Sequence, residues 1–172
     1  MLFRSHDVHT VFSDWGTRVT LSETGMPVSA WLDSLGVGPA RRYAPSDLSA
    51  PPASGSFKLD GTVIVPCSMS SAGAIASGAG RNLVHRAAAV ALKEGRRIIL
   101  CPRETPLSLI DLKNLCALAE AGAIILPACP GFYHRPATVD QLVDFVAGRI
   151  LDRLGVEHSL CPRWDGSNGA FS

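Results

Sequence analysis

Three short segments of this chain collect side chains that suit an anionic, phosphorylated small molecule. Cys67-Ser-Met-Ser-Ser71 offers hydroxyls among small residues, where a ligand can approach free backbone N–H groups. Pro102-Arg-Glu-Thr-Pro106 holds Arg103, able to grip phosphate through parallel N–H bonds, beside Glu104, a candidate general acid or base. Pro130-Gly-Phe-Tyr-His-Arg-Pro136 adds Tyr133, a phenol that can donate to phosphate and a ring that can shield an allylic cation, and Arg135. Each has a plainer reading: a polar strand–helix turn, a surface ion pair and loop-anchoring aromatic packing. Arg86 and Lys93 stand two helical turns apart, so they can point the same way; singly, they read as solvated charges.

These segments need elements to aim them, and the hydrophobic pattern supplies those. Each follows an apolar run: Thr62–Pro66, Arg97–Cys101 and Ala123–Pro127. Helical stretches separate the runs, so right-handed crossovers make the strands parallel and gather the three loops at one sheet edge, where open α/β sheets bind ligands. An earlier strand, Val8–Phe12, ends at Ser13, and Asp14–Leu21 reads as a short helix. Met26–Pro52 is an excursion rich in Pro, Ser, Gly and Ala with one amphipathic piece, Val28–Leu35. Ser70–Gly80 is a small-residue stretch, followed by a helix over about Asn82–Glu94 that Gly95 stops. Thr105-Pro106 predicts the start of the next helix, with Leu109, Leu112, Leu115 and Leu118 near one face and Gly122 as its end. Thr138-Val-Asp-Gln141 reads as a capping box. The last helix is expected to bury Val139, Leu142, Val143, Val146, Ile150 and Leu154, and Gly155 stops it.

Composition narrows the classes. At 172 residues, 47% hydrophobic and 18% charged, the chain suits one globular domain with a real core. The expected division is one domain over residues 1–155 and a tail over 156–172. A net charge of +1 with scattered basic residues argues against a nucleic-acid partner. No apolar run reaches the length of a membrane span, and the first residues lack a signal-peptide pattern. Five cysteines without a C-x-x-C pair fit free thiols in a reducing cytosol. Cys67, Cys101 and Cys129 read as small hydrophobes at strand ends, with a nucleophilic Cys67 as the minor alternative. The histidines show no ligand spacing, so no metal is expected. Trp164, a large aromatic in a polar tail, calls for a cover, which a neighbouring subunit would provide.

Together, Pro66-Cys-Ser-Met-Ser-Ser71, Leu92-Lys-Glu94, Leu100-Cys-Pro-Arg-Glu-Thr-Pro-Leu107 and Gly131-Phe-Tyr-His-Arg-Pro136 resemble the UbiX-type flavin prenyltransferases of the flavin-containing cysteine decarboxylase superfamily. The resemblance runs from Val8 to about Trp164. It implies a Rossmann-like (flavodoxin-like) parallel sheet with helices on both faces, a three-layer sandwich. It also implies transfer of a dimethylallyl group from dimethylallyl phosphate to N5 and C6 of reduced FMN without a metal. The prenylated FMN serves a partner UbiD-type decarboxylase, and family members are cytoplasmic dodecamers with sites between subunits.

Matched by position, Ser13, Ser68, Met69, Ser70, Ser71 and Arg103 correspond to FMN-contacting residues. Tyr133 and Arg149 correspond to those holding the prenyl phosphate. Arg86, Lys93 and Glu104 match further polar residues of that site, Glu23 a glutamate near the flavin, and Trp164 a tryptophan closing the pocket. The implied catalytic set is Glu104, Lys93, Arg86, Tyr133 and Glu23. The family opens with a strand and a Gly-Ala-Ser-Gly loop, whereas this sequence starts at Met1-Leu-Phe-Arg, resembling the helix end beyond that loop. The first, mid-sheet strand is therefore expected to be missing. The expected explanation is a sequence that starts late; the other is a variant in which another strand or subunit takes that place. Two further functions stand beside the first: a flavin-dependent decarboxylase of the same superfamily, and a non-catalytic flavin-binding or assembly subunit.

Overall fold

In the computed structural model of this chain, residues 6–161 are described. The central strands are β3 (Thr62–Cys67), β4 (Ile98–Pro102) and β5 (Ile124–Ile125), hydrogen-bonded in that order and all parallel. β4 is buried along its whole length. Its alternating residues face opposite layers, as strand geometry demands. Ile98 and Leu100 pack into a core with Ile64, Cys67, Ala72, Ala88, Leu115 and Leu118. Ile99 and Cys101 pack into another with Ile150, Val146 and Leu154. Helices α3 (Met69–Ala76), α4 (Leu83–Lys93) and α5 (Leu109–Glu120) therefore cover one face, and α6 (Val139–Leu154) the other. This is the three-layer, flavodoxin-like arrangement expected from the sequence, and it explains the unbroken apolar run of β4.

A second, smaller parallel sheet joins β1 (Thr10–Val11) to β2 (Arg42–Tyr43). Between them lie α1 (Asp14–Thr24) and α2 (Val28–Ser34). Among the described residues, β1 and β3 each ladder on one side only. α4 ties the two sheets together: its Leu83 packs with Val11 and Tyr43, while its Ala88 and Ala91 pack with β3 and β4. None of the residues of α1 is buried.

The structure corrects several sequence readings. Ser70–Gly80 is not one small-residue stretch ahead of a helix: its first part belongs to α3, capped by Ser68. The unread signal was Met69, Ala72 and Ile75 at three-residue intervals behind a serine cap. Gly73 permits the close approach of α3 to α5, since a Cβ there would lie 3.1 Å from Asn114 Nδ2. β2 carries no periodic pattern and was hidden in the Met26–Pro52 excursion. The helix after β4 does not begin at Thr105-Pro106. Ser108 caps it, with a reciprocal bond between Asp111 and the Ser108 backbone that Thr105 cannot match. At Thr138 the side chain accepts from Gln141 N, but the Gln141 carbonyl reaches Ala137 N rather than the cap residue itself. β5 is shorter than the apolar run Ala123–Pro127, although Leu126 N and Ala128 N still donate to Leu100 and Pro102.

The apolar faces of two helices outrun the core. Leu115 and Leu118 are buried, yet Leu109 is 66% exposed and Leu112 is open as well. On α6, Ile150 and Leu151 are buried while Val139 is 73% exposed and Val143 is also open.

The corrected cap is checked by chemical denaturation. Ser108→Ala is expected to lower the unfolding free energy by about 1 kcal/mol, because it orphans the Asp111 N–H, whereas Thr105→Ala changes it little.

Candidate functional site

The parallel register decides which loops meet. Cys67 pairs with Pro102, so Ser68 and Arg103 emerge side by side at the carboxyl ends of β3 and β4. The register slips between Ile64 and Cys67, where Pro66 has no N–H to give to the ladder. Ser68 Oγ accepts from Ser71 N at 3.2 Å and donates to Ser71 Oγ at 3.1 Å. Met69, Ser70 and Ser71 form the first turn of α3, and Met69 is buried in the core beneath it. Free N–H groups of that turn give the rim a positive end.

Ser13 plays the same part on α1, accepting from Gly16 N at 3.0 Å. At the other end of α1, Glu23 meets Arg103 in a two-pronged pair: Nη1 donates to Oε2 at 3.2 Å and Nη2 to Oε1 at 3.0 Å. The hydrogen bonds and charge of Arg103 hold the Glu23 carboxyl below its ordinary 4.5. Arg103 thus pairs with Glu23 rather than with its neighbour Glu104. Glu104 is exposed and accepts from Thr105 N at 3.2 Å.

Phe145 connects the Tyr133 loop to the cleft that Arg149 lines. Phe145 of α6 packs edge-on against Tyr133, 5.9 Å between centroids, and stacks on His134 at 5.4 Å. Phe145 also lines a cleft of about 360 Å³ with Ile125, Pro127, Cys129, Arg149 and Arg153. Arg149 Nη1 donates to Asp152 Oδ2 at 2.8 Å. Arg86 lies apart from this cleft: it lines another, of about 420 Å³, with Leu48, Ile75 and His85. Its Nε donates to Ala53 O at 3.0 Å, pinning the Pro51–Ala53 turn. Lys93, at the end of α4, pairs with Glu94 at 3.5 Å. Trp164 lies outside the described residues.

Four contributors were not read from the sequence. His85 reaches Ser71 Oγ at 3.2 Å, and burial lowers its pKa, which favours the neutral imidazole. Phe145 lies between Val143 and Val146, off the apolar stripe that the helical period picks out. Asp152 could have been found from its i+3 spacing to Arg149; His158 had no sequence signal at all. Of the strand-end cysteines, Cys129 is exposed rather than packed, whereas Cys67 follows the main sequence reading. It is buried, and desolvation with the neighbouring Cys101 pushes its thiol up to about 11, so it is a packed hydrophobe and not a nucleophile.

A parallel α/β sheet with serine-capped helices and an arginine along its carboxyl rim places the chain in the flavodoxin-like class, whose ligands bind at that edge. A flavoprotein family profile matches residues 2–151. The flavin prenyltransferase UbiX of Thermoplasma acidophilum is 47% identical over 161 residues, spanning 94% of this chain and 87% of its own. That of Pseudomonas aeruginosa is 44% identical over 168 residues, spanning 92% of this chain and 80% of its own. Among solved structures, AnUbiX (PadA1) in complex with FMN and dimethylallyl pyrophosphate superposes with a TM-score of 0.90 at 38% identity, covering 96% of this chain and 86% of that one. A dodecameric FMN-dependent UbiX-like decarboxylase from Escherichia coli O157:H7 gives 0.88 at 40% identity, covering 96% and 88%. The chain belongs to the UbiX-type flavin prenyltransferases of the flavoprotein family. Among the described residues, no helix is long and apolar enough to cross a membrane.

Two measurements check this geometry. By carboxylate-detected NMR, Glu23 is expected to titrate below 4.5 in the wild type and to return to it in Arg103→Ala. Because the folded pKa is the depressed one, the pair's support is complete above the unfolded value and fades as pH falls through the folded value. Alkylation at pH 8 followed by mass spectrometry is expected to label exposed Cys116 and Cys129 first, with Cys67 protected until the protein unfolds.

Proposed function

We propose that this chain transfers a dimethylallyl group from dimethylallyl phosphate to N5 and C6 of reduced FMN. The product, prenylated FMN, is proposed to pass to a UbiD-type decarboxylase. The observation that carries the reading is the close superposition on AnUbiX, whose structure is in complex with FMN and dimethylallyl pyrophosphate. The motif residues of this chain are compatible with both ligands.

The donor set suits FMN. The Ser13 and Ser68 hydroxyls, the first turn of α3 with Met69, Ser70 and Ser71, and the exposed guanidinium of Arg103 would hold it. Reduced FMN supplies the nucleophilic N5 and C6 positions.

This chain's residues then have two tasks. Allyl monophosphate is a poor leaving group, so charge must be neutralised as its C–O bond breaks and the electron pair departs with phosphate. Arg149 and Tyr133 would hold that phosphate, and Lys93 and Arg86 would add positive charge. Glu104, or the released phosphate, would carry the proton given up at ring closure. Glu23 would orient Arg103 beside the flavin, and Trp164 would close the pocket. Arg86 and Arg149 line different clefts of one chain, which is compatible with sites completed between subunits. A homo-dodecamer belongs to the same proposal: Leu109, Ile110, Val139 and Val143 form apolar surface in need of cover, and the Escherichia coli relative is dodecameric. A cytoplasmic location is proposed from the free cysteines, two of them exposed.

The test supplies dithionite-reduced FMN and dimethylallyl phosphate. One inorganic phosphate released per prenyl unit gained by the flavin is expected. Bound flavin with no phosphate release would reduce the chain to a binding subunit, and carbon dioxide from a peptidyl-cysteine substrate would make it a decarboxylase. Glu104→Gln is expected to slow turnover roughly 100-fold while FMN stays bound.

A further inference from the structure

We infer that Asp152 and His158 are positioning residues for Arg149, and that the chain beyond α6 is folded back to complete this clamp. The inference deepens the proposed function, because it rests on Arg149 being the residue that takes the prenyl phosphate.

Asp152 uses both carboxylate oxygens. Oδ2 accepts from Arg149 Nη1 at 2.8 Å, and Oδ1 faces His158 Nε2 at 3.2 Å. The imidazole's other nitrogen, Nδ1, lies 3.3 Å from the Leu160 N–H. That N–H can only donate, so Nδ1 is the acceptor and the proton sits on Nε2, which donates to Asp152. A backbone amide therefore sets the tautomer, the imidazole sets the carboxylate, and the carboxylate sets the guanidinium.

The fold is shaped to allow this contact. Gly155, at φ 77°, turns the chain back over α6, and Val156 N donates to Leu151 O at 3.0 Å. Gly148 leaves room for the returning chain: a Cβ there would lie 2.8 Å from His158 Cε1 and 3.1 Å from Cys161 Sγ. The His158 side chain is 2% exposed, while that of Arg149 is 44% exposed beside the cleft it lines. Nη1 is held by Asp152, and the half-exposed side chain lines the cleft where an anion would meet it. Holding a long side chain in one geometry before the ligand arrives removes rotamer entropy that binding would otherwise have to overcome.

The FMN-loaded full chain is titrated with dimethylallyl phosphate by calorimetry, and the Arg149 guanidinium is followed by side-chain ¹⁵N NMR. Asp152→Ala and His158→Ala are each expected to weaken dimethylallyl phosphate binding roughly tenfold with FMN affinity unchanged. Both should also release the slow rotation of the Arg149 guanidinium. His158→Gln, whose amide N–H can replace Nε2–H, is expected to restore binding and restricted rotation. Adding Asp152→Ala to Arg149→Ala should cost nothing further. If either alanine variant fails to fold, His158→Gln and Asp152→Asn are compared instead, the first expected to keep binding and the second to lose it. Lowered melting temperature with unchanged ligand binding and unchanged Arg149 rotation would overturn the inference and leave a purely structural tie. If Arg149→Ala itself binds dimethylallyl phosphate as the wild type does, the phosphate role of Arg149 fails, and the NMR signature alone decides whether the clamp exists.

Discussion

The parallel pairing of β3 with β4 is the constraint on which the site depends. β4 is buried on both faces, so its backbone groups have no water to turn to and must be satisfied in the ladder. Burial of Ile98 and Leu100 on one side and Ile99 and Cys101 on the other makes a register slip prohibitive, since it would exchange the two faces. With register fixed, Cys67 lies opposite Pro102, and Ser68 and Arg103 become neighbours on the rim.

Local chemistry then refines what the ladder delivers. Ser68 and Ser13 end their strands by capping the next helix, so the atoms that could receive an anion are the ones that terminate the backbone's own hydrogen bonding. Glu23 reaches across from α1 to Arg103 and fixes a guanidinium on the exposed rim. This contact holds one end of a helix that buries none of its own residues. The polar groups at the site are mostly exposed and paired, while Cys67 and Cys101 beneath them are buried thiols with raised pKa values. Polar chemistry sits on top of the sheet and packing sits inside it.

Much of this was legible in the sequence because its signals are local. Unbroken apolar runs announced β3 and β4, and Gly95, Gly122 and Gly155 marked helix ends through the left-handed conformation each adopts. The capping motif at Thr138 was legible to the residue, though its return bond shifted by one position. Legibility failed where two local signals competed, or where none existed. Thr105-Pro106 and Ser108 both look like helix starts, and the Asp111 carboxylate decides for Ser108. β2 is two residues long and forms only because β1 is there to pair with it. Val139 and Val143 follow the helical period faithfully, yet the period says which residues share a stripe and not how much of that stripe is covered.

The sequence by itself determined the alternation of β3, β4 and β5 with helices, the unbroken apolar run of β4 and the motif segments that mark the family, because these depend on side-chain period, turn chemistry and residue identity over a few positions. Tertiary structure alone decided that Arg103 meets Glu23, that Tyr133 packs on Phe145, and that His158 rests on Gly148 to hold Asp152. Those contacts join residues on separate elements or across a chain reversal. Their distances come from how helices pack on a twisted sheet, a property of the whole assembled core that no short window of sequence contains.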